Sequence, residues 1–278
     1  MIDQYAVVGN PIAHSRSPEI HAAFARQVRH KLSYVAIEAP LGGFRVVAEE
    51  FHRNGGSGMN VTAPFKLDAF AFSTEFSFRA KVAGAANTLC FRQGADRPVI
   101  YADNTDGVGL VNDLRKNLGR ELIGQRILLL GAGGAARGVV GALAEAGPAC
   151  LVVANRTFAT AATLVHKFTA EGGNGSMLAV EFDQLDQLRF DIVINATSAS
   201  LSSARLAVPA ACFAPNSLAY DMTYANDTAP FLQLARKAGA NVADGIGMLV
   251  EQAAEAFFIW RGVRPETQPI IASLKAKV

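Results

Sequence analysis

The segment Arg126-Ile127-Leu128-Leu129-Leu130-Gly131-Ala132-Gly133-Gly134-Ala135-Ala136 decides the architecture of this 278-residue chain. Its first five residues read as a buried strand, and the glycines after them lead straight into a helical segment. A lone glycine pattern says little, but Gly131-x-Gly133-x-x-Ala136 placed between strand and helix reads as a nucleotide loop. Gly131 permits the tight turn, Gly133 lets the backbone approach a pyrophosphate, and the small Ala136 allows strand and helix to pack closely. The helix N-terminus supplies N–H groups and partial positive charge to a phosphate. The plainer alternative is a glycine-rich structural turn.

The next strand reports on the ligand. An Asp or Glu about 20 residues on would hold the ribose hydroxyls of NAD. Here Leu151-Val152-Val153-Ala154 runs into Asn155-Arg156-Thr157, with an arginine where the acid would stand. Arg156 can pair with the 2′-phosphate of NADP, which a carboxylate would repel. The substitution of charge favours NADP over NAD; the bland alternative is a solvated loop arginine.

Strand and helix patterns alternate on both sides of this loop. Downstream, residues 192–195, 218–221 and the neighbourhood of Val242 read as further strands, and 171–176 as a glycine-rich loop. Upstream, 5–9, 34–37 and 59–61 read as strands. Ser17-Pro18 opens a helix, with serine as N-cap and proline at the first helical position; Ile20, Phe24 and Val28 share its face. A helix over 44–53 stops at Asn54-Gly55-Gly56. Residues 87–91 and 99–102 read as two strands joined through 94–98, 106–118 as a helix, and 245 to about 260 as a last long helix.

This predicts an α/β protein of two domains. Residues 1–104 with 245–278 form an N-terminal, mostly parallel α/β domain that carries the reactive polar groups. Residues 105–244 form the nucleotide-binding domain, and the last long helix returns to the first. Chemistry is then expected in the cleft between the domains.

Composition excludes other classes. Half the residues are apolar and the net charge is +2, which gives no reason to expect nucleic acid or an anionic membrane as a partner. The three cysteines, Cys90, Cys150 and Cys212, are far apart and lack a Cys-x-x-Cys pair, so they read as small buried hydrophobes in a reducing cytoplasm rather than as disulfides or metal ligands. No metal site is expected. Neither a secretion signal nor an apolar run of about 20 residues is present.

The first domain holds a polar constellation. His14-Ser15-Arg16-Ser17-Pro18 puts two hydroxyls beside a helix N-terminus, a reasonable carboxylate site, although Ser17 alone reads equally as an N-cap. His14 is a candidate base; the other histidines, His21, His52 and His166 among them, fall in helical segments without metal spacing. Lys66 follows a strand end. An ammonium there can stabilise the negative charge that grows on oxygen when hydride reaches a ketone carbon, and can donate a proton. Asp106 would hold it. Burial lowers a lysine pKa and a carboxylate raises it, so which group carries the proton stays open. Two unrelated surface charges are the competing reading.

Several segments together resemble the shikimate dehydrogenase family. They are Gly9-Asn10-Pro11-Ile12-x-His14-Ser15-x-Ser17-Pro18, Asn60-Val61-Thr62-x-Pro64-x-Lys66, Gly84-Ala85-x-Asn87-Thr88, Asn104-Thr105-Asp106-Gly107, the Gly131 loop, Asn155-Arg156-Thr157, Asn195-Ala196-Thr197-Ser198, Asp221-Met222-x-Tyr224 and Asp244-Gly245-x-Gly247-Met248-Leu249-Val250-x-Gln252-Ala253, in the family's order. The resemblance implies NADPH-dependent, reversible reduction of 3-dehydroshikimate to shikimate, a step toward chorismate and the aromatic amino acids, on a Rossmann-type NADP-binding domain and a substrate domain. It implies Lys66 and Asp106 as the catalytic pair. Ser15, Ser17 and Tyr224 would hold the substrate carboxylate, and Asn60, Thr62, Asn87 and Gln252 the ring hydroxyls. Gly131, Ala132, Gly133, Gly134 and Ala135 would cradle the pyrophosphate. Asn155, Arg156 and Thr157 would take the ribose phosphate, with Met222 and Gly245 near the nicotinamide. Met248 and Gln252 share a face of the last helix, where a packing stripe of Leu249, Ala253, Phe257 and Trp260 also fits. The partner is a small molecule; monomer and homodimer are both compatible.

Three positions depart from the family pattern. Phe158, Ala159 and Thr160 stand where a second basic residue is common, which loosens the NADP preference. Ala199 and Ser200 replace a frequent glycine, and Ala22 follows His21 in place of asparagine. The alternatives are a quinate/shikimate dehydrogenase, a paralogue acting on an amino-substituted ring, and a non-catalytic NADP-sensing regulator on the same fold.

Overall fold

The computed structural model describes residues 2–94, 98–173, 175–197, 208–224 and 229–277. Residues 95–97 of the 94–98 connection, Asn174 of the glycine-rich loop, and Ser198, Ala199 and Ser200 lie outside the described residues. In chain order the elements are β1 (Asp3–Gly9), α1 (Ser17–Gln27), β2 (Leu32–Glu38), α2 (Phe44–Arg53), β3 (Gly56–Val61), α3 (Lys66–Phe72), β4 (Glu75–Phe76), α4 (Phe78–Ala83), β5 (Thr88–Arg92), β6 (Val99–Asp103), α5 (Asp106–Asn112), β7 (Arg126–Leu130), α6 (Gly134–Glu145), β8 (Cys150–Ala154), α7 (Phe158–Ala170), β9 (Met177–Val180), β10 (Phe190–Asn195), β11 (Phe213–Asp221), α8 (Pro230–Lys237), β12 (Asn241–Ala243), α9 (Ile246–Arg261) and α10 (Gln268–Lys275). Among the described residues, no helix is long and apolar enough to cross a membrane.

Two compact units result: Met1–Gly109 with Val250–Lys277, and Leu110–Leu249. They part inside α5 and α9, five residues beyond the expected joints at 104/105 and 244/245.

The first unit holds a six-stranded sheet in the order β2-β1-β3-β5-β6-β4. β1, β2 and β3 run parallel, whereas β5 is antiparallel to both β3 and β6. The reversal of β5 matters for the site. It aligns Asn60 with Thr88 and Thr88 with Asp103, so the end of β3, the start of β5 and the end of β6 meet at one edge. A core of Val8, Phe44, Met59, Val61, Phe65, Leu89 and Phe91 fills one face. α9 is anchored in this unit by Trp260, whose indole N–H donates to the Leu89 carbonyl at 3.0 Å and whose ring stacks on Tyr5.

The second unit is an all-parallel sheet in the order β12-β11-β10-β7-β8-β9. Counted within the unit this is the 3-2-1-4-5-6 order of a dinucleotide-binding fold, with its switch point between β7 and β10. Parallel strands are covered on both faces and read as apolar runs; accordingly Ile127, Leu128, Leu129 and Leu130 are all fully buried. The expected strands, nucleotide loop and 44–53 helix appear in place.

Several local expectations change. Ser17 is not the N-cap of α1: Arg16 occupies that position with helical backbone angles, Pro18 falls one residue later than expected, and the Ser15 hydroxyl accepts the Ser17 N–H at 3.3 Å. The 106–118 helix is α-helical only to Asn112 and widens into a π-helical turn over Asp113–Asn117. The helix after Gly245 is the last long one, and a short helix, α10, follows it. α3, β4, α4 and β9 are additional elements. His30 lies just past the turn that follows α1 rather than in a helix. Only Cys212 is buried; Cys90 and Cys150 are half-buried.

Candidate active site

Lys66 and Asp106 are 40 residues apart in sequence, yet Lys66 Nζ donates to Asp106 Oδ2 at 2.5 Å. Each opens a helix at the shared edge of the sheet: Lys66 begins α3 just after β3, and Asp106 begins α5 just after β6. The side chains are 18% and 7% exposed, so the ammonium can be reached while its carboxylate partner cannot easily be hydrated. A close ion pair in such a setting is held by a charge-assisted hydrogen bond, stronger than a neutral one.

Asn87 is the hub of the polar groups around this pair. Its Oδ1 accepts the Thr105 backbone N–H at 2.9 Å. Its Nδ2 donates to Asp106 Oδ1 at 2.8 Å and to Thr105 Oγ1 at 2.9 Å, with Gln252 Oε1 at 3.3 Å. Asn60 is tied to the same cluster: Nδ2 donates to the Asn87 carbonyl at 3.2 Å and to Thr88 Oγ1 at 3.1 Å. Gln252 reaches the cluster from α9, and its Oε1 also lies 3.3 Å from Thr105 Oγ1.

Tyr34, which the sequence reading passed over, belongs here as well. Its hydroxyl donates to Asn60 Oδ1 at 2.7 Å. Burial holds this phenol well above the ordinary tyrosine range, opposed by the neighbouring Ser17 hydroxyl. His21 stacks on Tyr34 with ring centroids 4.2 Å apart. Burial pushes the His21 pKa down to about 3, and Asn60 beside the ring acts in the opposite direction. In the sequence, Tyr34 is one residue of an apolar strand segment, and nothing local marks its hydroxyl as turned inward.

The structure thus brings together Ser17, Asn60, Lys66, Asn87, Asp106 and Gln252 in one unit. Ser15 and Thr62 are half-buried in the same unit, Ser15 on the Ser17 N–H and Thr62 with its N–H on the Val8 carbonyl at 2.9 Å. His14 is exposed.

The remaining candidates lie in the second unit, at the carboxyl ends of the parallel strands. Gly131 has φ +105, and a Cβ there would meet Thr197 Cγ2 at 3.0 Å and the Ala196 carbonyl at 3.3 Å. In contrast, a Cβ added at Gly133 or Gly134 would meet nothing within 4 Å. Gly133 is the N-cap of α6 and offers no side chain to its first-turn N–H groups. Ala132 and Ala136 are buried and Ala135 is half-buried. An open backbone surface in front of an uncapped helix N-terminus fits a pyrophosphate. At the end of β8, Asn155 donates to the Thr157 carbonyl at 3.0 Å and shapes the turn. Arg156 is exposed, and among the described residues it makes no ion pair. The residues present therefore fit a dinucleotide with a phosphorylated ribose.

Met222 follows β11 and its N–H donates to the Asn195 carbonyl at 3.0 Å. Asp221 accepts both the N–H and the hydroxyl of Thr223, at 3.0 and 2.8 Å, fixing the turn that leads to half-buried Tyr224. Gly245 closes against this turn: its N–H donates to the Thr223 carbonyl at 2.9 Å, and a Cβ would meet the Met222 carbonyl oxygen at 2.4 Å.

Residues 7–89 match the shikimate dehydrogenase substrate binding domain, residues 113–207 match the shikimate / quinate 5-dehydrogenase family, and residues 245–275 match the shikimate 5'-dehydrogenase C-terminal domain. The chain is 54% identical to a shikimate dehydrogenase (NADP(+)) of Dechloromonas aromatica, covering 100% of this chain and 99% of that one. Among solved structures it is similar to an Ael1 enzyme from Pseudomonas putida, at 47% identity and a TM-score of 0.90 over 98% of each chain. It is also similar to shikimate 5-dehydrogenase from Thermus thermophilus in complex with NADP(H) and shikimate, at 33% identity and a TM-score of 0.85 over 100% of each chain.

Proposed function

The chain belongs to the shikimate dehydrogenase family, and on that premise we propose that it reversibly reduces 3-dehydroshikimate to shikimate with NADPH. The observation that carries the reading is the 2.5 Å contact between Lys66 Nζ and Asp106 Oδ2. When bound, the dinucleotide supplies hydride to the carbonyl carbon. This chain's part is to hold the ring and move one proton. As charge grows on the ketone oxygen, the Lys66 ammonium stabilises it and donates its proton there. Asp106 keeps the ammonium oriented, and in the reverse direction the pair accepts the proton from the hydroxyl.

In this reading the first unit supplies all the ring contacts but Tyr224, and the second unit supplies Tyr224 and the dinucleotide site. Ser15, Ser17 and Tyr224 take the carboxylate, while Asn60, Thr62, Asn87 and Gln252 take the hydroxyls. Asn60 already spends both amide N–H bonds within the protein, and its Oδ1 accepts from Tyr34, so it offers the remaining carbonyl lone pair to a ring hydroxyl rather than a donor. Gly131 to Ala135 cradle the pyrophosphate, Asn155, Arg156 and Thr157 the ribose phosphate, and Met222 and Gly245 flank the nicotinamide. Exposed Arg156, with no acid at the end of β8, supports NADP over NAD. Free thiols at Cys90, Cys150 and Cys212 support a reducing, cytoplasmic setting. We place the enzyme there as a monomer or homodimer acting on small molecules.

One assay decides: reduction of NADP⁺ and of NAD⁺, each with shikimate and with quinate. Shikimate with NADP⁺ is expected to dominate. Absence of turnover with shikimate refutes the activity, and equal rates with quinate favour the broader quinate/shikimate reading.

A further inference from the structure

Thr88 stands in the Asn87-Thr88 segment but has no place in the proton transfer described above. It is 1% exposed and directly opposite Asn60 across the β3–β5 pair. Its one hydroxyl touches two amides: Asn60 Nδ2 donates to Thr88 Oγ1 at 3.1 Å, and Thr88 Oγ1 donates to Asn87 Oδ1 at 2.9 Å.

The direction of each of these bonds follows from backbone groups that cannot change role. A side-chain amide can be flipped without visible change in shape, so its orientation must be argued from its partners. At one end the Thr105 backbone N–H, a donor only, faces Asn87 Oδ1. Flipped, Asn87 would point N–H at N–H. Its Nδ2 is thereby directed to Asp106 Oδ1. At the other end the Asn87 backbone carbonyl, an acceptor only, faces Asn60 Nδ2 and fixes that amide as well. Asn60 Oδ1 then accepts from Tyr34. Thr88 receives a proton donor from Asn60, so its own proton goes to Asn87. The result is a one-way chain of donors, Tyr34 to Asn60 to Thr88 to Asn87 to Asp106, whose last member also accepts from Lys66. Bonds aligned head to tail in a poorly hydrated site polarise one another.

We propose that Thr88 is a positioning residue: its buried hydroxyl joins the Asn60 and Asn87 amides into one aligned network and, through Asn87, sets how the Asp106 carboxylate faces Lys66. The inference rests on the dehydrogenase reading for its kinetic consequence, but the alignment itself does not depend on turnover. Asn60 and Asn87 each keep a backbone partner without Thr88, so removing the hydroxyl loosens the network rather than dismantling it.

The test compares Thr88→Val, which keeps the shape and deletes the hydroxyl, with Thr88→Ser, which keeps the hydroxyl. In ¹⁵N-labelled protein the side-chain amide resonances of Asn60 and Asn87 should shift in Thr88→Val and return toward their original positions in Thr88→Ser. With shikimate and NADP⁺, kcat should fall roughly five- to tenfold in Thr88→Val, the worth of about one hydrogen bond. It should recover to within about twofold in Thr88→Ser, while NADPH affinity by fluorescence titration stays unchanged in both. Should Thr88→Val fail to fold, Thr88→Ala is read in the same way. Unmoved amide resonances, or a Thr88→Ser variant as slow as Thr88→Val, would overturn the proposal. An enzyme inert toward shikimate would instead sink the assigned activity, and the amide resonances would still decide the alignment.

Discussion

Replacing Asp106 by asparagine separates charge from shape. The two carboxylate oxygens have different donors: Oδ1 accepts from Asn87 Nδ2 at 2.8 Å, and Oδ2 accepts from Lys66 Nζ at 2.5 Å. Asparagine has one acceptor and one donor end. If its carbonyl faces Lys66, its NH₂ meets the NH₂ of Asn87. If it faces Asn87, its NH₂ meets the ammonium. Asn87 cannot turn to help, because the Thr105 N–H holds its Oδ1. Either way one hydrogen bond is lost, and the carboxylate charge goes with it. A hydrogen bond to a charged group contributes about 1.5–3 kcal/mol, which corresponds to a fall of roughly 10- to 150-fold in kcat at about 1.4 kcal/mol per decade. Lys66→Ala, which removes the proposed proton carrier, should fall further, by about 10²–10⁴. The measurement is kcat for shikimate oxidation at saturating NADP⁺, with substrate binding followed separately. An Asp106→Asn enzyme within twofold of the parent would show that the ion pair is structural and that the proton moves by another group.

Three further variants test other links. Gly133→Val should leave stability within about 1 kcal/mol, the scale of an N-cap change, because its Cβ enters open space; NADPH affinity by fluorescence titration should collapse, and retained affinity would remove the loop from the cofactor site. Gly247→Ala should lower stability by about 2–4 kcal/mol in urea titration, combining overpacking with a lost buried bond and a small gain in helix propensity. Its Cβ would fall 1.9 Å from Asp113 Oδ1, and the displaced carboxylate would release Tyr220, which donates to Asp113 Oδ2 at 2.7 Å; an unchanged midpoint would refute this. His21, buried with a pKa of about 3, binds fewer protons folded than unfolded. Its contribution is complete above about pH 6.5 and is lost as pH falls toward 3, costing about 2 kcal/mol by pH 5. His21→Phe should flatten the loss of stability between pH 6.5 and 5 by that amount, and parallel pH profiles for the two proteins would contradict it.

How much of this was legible in the sequence depends on whether the information was local. Strand β7 and its loop could be read because a run of apolar residues, a glycine turn and a helix lie within a dozen positions. α2 could be read because its apolar face ends at Asn54-Gly55. By contrast α4, six residues long, shows its limits only through the Ser77 side chain that accepts the Ala80 N–H and the left-handed Gly84 that ends it. These signals were present but too short to show a period. β9 escapes for a related reason: its apolar run, Met177-Leu178-Ala179-Val180, is only four residues long and, on an edge strand, none of them is fully buried. Ser17 misled because serine before proline satisfies the rule for a cap, and the rule cannot see the Ser15 hydroxyl that supplies the interaction instead.

The chemistry of the site was legible by residue type, but its assembly was not. Alternation of strands and helices suggested a mostly parallel first sheet. Had β5 run parallel to β3, Asn87 at its start would have stood at the opposite end of the sheet from Lys66 and Asp106. Pairing in the other direction puts Thr88 across from both Asn60 and Asp103, and so brings one amide within reach of the carboxylate that holds the lysine. No periodicity in residues 87–103 distinguishes these two arrangements, because reversing a strand leaves the alternation of its side chains unchanged. What does distinguish them is the polar account at the sheet edge. Asn87, Thr88, Thr105 and Asp106 are all 5% exposed or less, and buried polar groups must find partners. Only the antiparallel register gives Asn87 the Thr105 N–H and Asp106 the Asn87 amide. The same hydrogen bonds that align the site therefore favour the strand direction that creates it.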